Sequence, residues 1–72
     1  MTGRSYVDLT TGHVMHVLGP DDEMNDRTEG WTLPPSRTTL GGAWRIIDTV
    51  TGETDWAWGT TLETEAWCAR IA

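Results

Sequence analysis

Apolar and polar positions alternate in short runs along most of this chain, and near its end the spacing becomes helical. Successive side chains of a strand point to opposite faces, so each alternating run reads as a half-buried strand. Ser5–Leu9 and His13–Leu18 form one such pair, and the runs flanking Val50-Thr51-Gly52 form a second. The two turns repeat each other. Val7-Asp8-Leu9-Thr10-Thr11-Gly12 and Ile47-Asp48-Thr49-Val50-Thr51-Gly52 both read aliphatic-Asp-x-x-Thr-Gly, forty residues apart. Gly supplies the positive φ of a three-residue hairpin loop, and the Asp carboxylate accepts from turn amides. Asp8 and Asp48 are therefore read as turn residues.

With Val50-Thr51-Gly52 as the loop, Asp48 faces Thr54, Ile46 faces Trp56 and Trp44 faces Trp58. Trp44, Ile46, Trp56 and Trp58 then share one face, as core or as a partly exposed binding surface. Arg45, Ile47, Asp55 and Ala57 share the other, with Arg45 and Asp55 paired diagonally. The same register in the first hairpin sets Tyr6 opposite His16 and Val7 opposite Met15. Its apolar residues fall on both faces, so that ribbon is buried on both sides or covered by a partner.

After Gly59, Thr60-Thr61-Leu62-Glu63 reads as a capping box with Thr60 at the N-cap and Glu63 at N3. It predicts a helix over 60–71, with Leu62, Ala66 and Ala69 on one apolar stripe and Trp67 and Ile71 on a second. Between the hairpins, residues 19–42 read as a long acidic loop. Pro34-Pro35 forbids helix there and Gly41-Gly42 marks a break before the third strand. The expected architecture is α+β: a single small domain over 1–72, with hairpins at 5–18 and 43–59 forming a four-stranded sheet and one C-terminal helix packed on it.

Composition narrows the role. Seventy-two residues bury only a small core, and the chain holds five Trp, no Phe, and 13 Thr. A size this close to the lower limit for a self-sufficient core points to a homodimer. Eleven acidic residues against five Arg and no Lys give a net charge of -6. That argues against neutralising a phosphate backbone or a polybasic membrane contact. The absence of Lys and Phe, whose codons are AT-rich, suggests a high-GC bacterial or phage source. One Cys leaves no internal disulfide or multi-Cys zinc site. No apolar run approaches the roughly 18 residues of a membrane span, and the N-terminal residues lack a signal-peptide core, so a cytoplasmic location is expected.

Candidate chemistry is sparse. Cys68 lies far in sequence from His13 and His16, and reads as a small buried hydrophobe. Three residues apart on a strand, the two His point to opposite faces, a poor geometry for one metal. The run 21–26 lacks the ligand spacing of a calcium loop. Neither a cofactor nor a metal is expected, and no enzymatic activity.

The stretch Trp44-Arg45-Ile46-Ile47-Asp48-Thr49-Val50-Thr51-Gly52-Glu53, followed by Thr61-Leu62-Glu63-Thr64-Glu65-Ala66-Trp67, resembles a pattern in small uncharacterised proteins of actinobacteria and their phages. There a W-R-V-V-D-x-x-T-G-E hairpin leads into a T-x-E-E-A-x-x-W helix. The likeness covers about the last thirty residues and implies a ββα piece and a source, with no activity attached. Thr64 stands where the pattern often has Glu. The expected function is a non-enzymatic protein-interaction module, a phage or mobile-element accessory protein that binds a host protein or itself. Trp31, Trp56, Trp58 and Arg45 are the candidate contacts, because Trp and Arg dominate binding hot spots. The alternative is a nucleic-acid mimic, with Asp21, Asp22, Glu23, Asp26 and Glu29 standing in for phosphates.

Overall fold

The computed structural model describes residues 2–29, 41–64 and 67–72. They form a small α+β domain with a five-stranded antiparallel sheet and two short helices. The strands are β1 (Ser5–Asp8), β2 (Val14–Pro20), β3 (Ala43–Asp48), β4 (Thr54–Trp58) and β5 (Cys68–Arg70). The helices are α1 (Asp22–Arg27) and α2 (Gly59–Glu63). Sheet order is β4-β3-β2-β1-β5, so the first four strands meander and β5 returns to the far edge.

The repeated turns set this geometry. In each copy Asp Oδ1 accepts two loop amides: those of Thr10 and Thr11 at 2.8 and 3.3 Å, and those of Val50 and Thr51 at 2.8 and 3.2 Å. The Asp carbonyl accepts the Gly amide at 2.7 Å in the first copy and 2.8 Å in the second. Both glycines hold φ 77°. The Thr hydroxyl then accepts the next amide, from His13 at 3.1 Å or Glu53 at 3.2 Å.

Each loop therefore spans four residues and closes on Asp8 with His13, or on Asp48 with Glu53, where the Asp amide donates back to the closing carbonyl. A three-residue loop is one residue too short. Both hairpins are accordingly shifted by one place from the expected register: Tyr6 pairs with Met15, Trp44 with Ala57, and Ala43 with Trp58.

That shift moves every side chain of one strand to the other face. Trp44 and Ile46 share their side with Ala57 and Asp55, while Trp56 and Trp58 join Arg45 and Ile47 on the opposite side. Trp44 and Trp58 do not meet across the hairpin. Arg45 and Asp55 point to opposite faces and cannot pair. Trp56 and Trp58 instead contact each other along β4, edge to face, with ring centroids 5.1 Å apart.

The core lies on the first side. Tyr6, Val17, Leu62 and Cys68 are its buried centre, flanked by Met15, Trp44, Ile46 and Ala57. α2 thus covers the Trp44 face. The expected helix over 60–71 shortens to Gly59–Glu63, and Cys68–Arg70 becomes a strand beside β1. The capping box does not form: the N-cap position falls on Trp58, which makes no side-chain cap. Glu63 is drawn away, accepting from Tyr6 Oη at 2.5 Å and Arg4 Nη1 at 2.6 Å. A short isolated helix is marginal, and three residues of ladder against β1 outcompete its extension.

The 19–42 segment also holds a helix. Asp21 caps α1 by accepting the Met24 amide at 3.0 Å, and Glu23 pairs with Arg27 at 2.9 Å. Asn25 clamps the start of β3, donating to the Ala43 carbonyl at 3.1 Å and accepting its amide at 2.8 Å.

Two consequences are testable by urea unfolding. Gly12→Ala and Gly52→Ala meet no atom within 4 Å, so each should destabilise by about 1 kcal/mol through the strain of a Cβ residue held at positive φ. Equal stability to the parent would contradict the turn geometry. Thr60 Oγ1 is buried without a hydrogen-bond partner among the described residues. Thr60→Val is therefore expected to gain about 1 kcal/mol, and a loss of similar size would mean that the hydroxyl is satisfied.

Candidate functional site

Alternation gives the two faces of the sheet different chemistry. Every carboxylate carried by a strand, on Asp8, Asp48 and Asp55, points to the core side. At the loop end of that side they join Glu53 around a cleft of about 260 Å³ floored by Met15 and Ile46. These carboxylates are largely engaged. Asp8 and Asp48 hold their turns, Asp55 accepts the Trp56 amide at 2.8 Å, and Asp48 Oδ2 lies 2.8 Å from His13 Nδ1. The last contact ties the start of β2 to the end of β3. Among the described residues, no group of three or more His, Cys, Asp and Glu side chains is placed to hold a metal ion.

The opposite face is apolar and aromatic. The strands set Val7, Val14, Ile47, Trp56 and Ala69 there, all half-buried. The β1–β5 ladder runs on through a bond from the Leu9 amide to the Trp67 carbonyl and one from the Ile71 amide to the Ser5 carbonyl, both 2.9 Å. Continued alternation adds Leu9, Trp67 and Ile71, which are 56%, 68% and 56% exposed. Among the described residues, His16 and Arg45, both exposed, are the only ionisable side chains that the strands place on this face. His16 Nδ1 is 2.6 Å from Ser5 Oγ, but Ser5 is buried, and no strand carboxylate shares the face to orient the ring.

The expected contact residues separate. Arg45 and Trp56 stand side by side on this apolar face, Trp58 is 7% exposed, and Trp31 lies outside the described residues. Exposed Trp67 and Ile71, read in the sequence as helical, belong to this face instead. The acidic set is dispersed in its roles. Asp21 is a helix cap and Glu23 is paired with Arg27, while Asp22, Asp26 and Glu29 are exposed. Cys68 is buried and its thiol donates to the Leu62 carbonyl. Burial pushes its pKa up, and so do nearby Asp8 and Glu63, which is the opposite of nucleophile activation.

No helix among the described residues is long and apolar enough to cross a membrane. The chain matches no protein-family model, no curated protein and no solved structure.

The half-buried carboxylate contacts and the buried Tyr6 and Cys68 predict how stability varies with pH. The Tyr6 hydroxyl, and then Arg4, hold the Glu63 carboxyl below its ordinary 4.5. The His13 ring, helped by the Val50 and Thr51 amides, holds Asp48 below 3.8. In the unfolded chain both carboxyls protonate at higher pH, so their stabilisation is complete above those ordinary values and drains as pH falls through the folded ones. Burial, reinforced by Glu63, raises Tyr6 above 10.0, and Cys68 is raised above 9.0. Those contributions are complete below the ordinary values and vanish as pH rises through the folded ones. The melting temperature should hold a plateau between about pH 5 and pH 9 and fall on both sides. Glu63→Gln should lower the plateau and flatten the acid limb, and an unchanged acid limb would refute the assignment.

Proposed function

We propose that this chain is a small non-enzymatic protein-interaction module that binds another protein or a second copy of itself. The observation that carries the reading is the apolar face opposite the helix-covered core. Leu9, Trp67 and Ile71 stand largely exposed beside half-buried Val7, Val14, Ile47 and Trp56. Contiguous apolar surface at this scale is what interaction sites present, and Arg45 beside Trp56 supplies the residue types that most often anchor them. The sequence's acidic alternative draws support from Asp22, Asp26 and Glu29, which remain exposed on and after α1.

Salt and mutation together separate the two. Immobilised chain is presented to lysate of a high-GC bacterium at about 50 mM and about 500 mM NaCl. An apolar-face partner should survive the higher salt and be lost with Leu9→Glu or Trp67→Glu. A nucleic-acid enzyme held only at the lower salt, indifferent to those changes but released by neutralising Asp22, Asp26 and Glu29, would favour the mimic and sink the interaction module.

A further inference from the structure

We propose that a second copy of this chain covers the apolar face, the two sheets stacking across a twofold axis. The proposal rests on the reading of that face as an interaction surface and assigns its occupant. Its first support is electrostatic. A chain of net charge -6 repels its own copies, and the repulsion is least where carboxylates are turned away. The strands turn all of theirs, on Asp8, Asp48 and Asp55, to the core side. The strands therefore set no carboxylate on the apolar face to oppose the approach of a second copy there.

The second support is fit. Antiparallel sheets stack about 10 Å apart through apolar inner faces, and this face offers Val7, Val14 and Ile47 at its middle with Leu9, Trp67 and Ile71 beyond them. Arg45 and His16 also stand on this face, His16 with its Nδ1 2.6 Å from Ser5 Oγ. Five strands span about 24 Å and four to five residues about 15 Å, a flat footprint near 360 Å². Side-chain relief raises the area buried, but it stays at or below the roughly 800 Å² per partner of a standard interface. An interface of this size belongs to the small, transient class.

Sedimentation equilibrium of the full chain tests this between about 10 µM and 1 mM, at about 50 and 500 mM NaCl. A reversible monomer–dimer equilibrium is expected, tightening at higher salt as the charge repulsion is screened. Leu9→Glu and Trp67→Glu should each weaken it at least about tenfold, with circular dichroism confirming the fold. Val50→Glu, on a side chain 65% exposed at a loop tip, adds the same charge elsewhere and should weaken it far less. A monomer at about 1 mM under both salts overturns the assignment. So does a dimer that loosens with salt, or one that Val50→Glu disrupts as much as Leu9→Glu. If the chain is monomeric while a captured protein is still lost with Leu9→Glu, self-association falls and the interaction module stands.

Discussion

The Asp–amide turn is the constraint on which the rest of this structure depends. One carboxylate oxygen satisfies two loop amides, and the Asp carbonyl takes the amide of the Gly that ends the loop. These bonds fix four residues in the loop and leave one register for the strands that leave it. Because the turn occurs twice with nearly identical distances, both hairpins are clamped the same way. His13, bonded to the second oxygen of Asp48, then joins the two hairpins at their loop ends. Register, in turn, decides which residues face α2 and which face away.

From that register the energetics follow. The core is thin, centred on Tyr6, Val17, Leu62 and Cys68, and Trp44 covers it as a partly buried neighbour. A core this small needs a polar tether, and Tyr6–Glu63–Arg4 supplies one, linking β1 and the segment before it to the end of α2. Tyr6 is fully buried, so its hydroxyl must find a partner, and a carboxylate is the strongest acceptor on offer. The same bond removes Glu63 from the capping role its spacing suggests. Local helix chemistry and tertiary satisfaction compete for one side chain, and the buried phenol prevails.

Much of the fold was legible in the residues. The Asp-x-x-Thr-Gly repeat marked both hairpins and their turn chemistry, and the α+β class followed. Loop length was not, because three- and four-residue loops share the same Gly and differ only in how the Asp oxygen divides its bonds. That single place inverted the Trp faces. α1 did leave a signal, an Asp cap at 21, acids at 22 and 23, and the Glu23–Arg27 spacing, but flanking Pro and Gly masked it. β5 left almost none, since three residues carry too little period to be told from a helix end. Of the residues on the apolar face, Arg45 and Trp56 had been singled out by residue type, whereas Trp67 was assigned to a helical stripe and Leu9 was not singled out.

The register also explains why an acidic chain carries a face without strand carboxylates. Asp8 and Asp48 point to the core side because each must curl back over its own turn, and Asp55 follows because it pairs with Ile46. The acids therefore gather at the loop end of the helix-covered face, over Met15 and Ile46. The other face is left to Val, Ile, Ala and Trp with Ser5, Thr54, one Arg and one His. A one-residue slip of β1 and β3 alone would set their carboxylates among Val14 and Trp56, where desolvation disfavours them. Placing the acids at the turns thus serves two ends at once: it closes the hairpins, and it keeps the opposite face free of strand carboxylates.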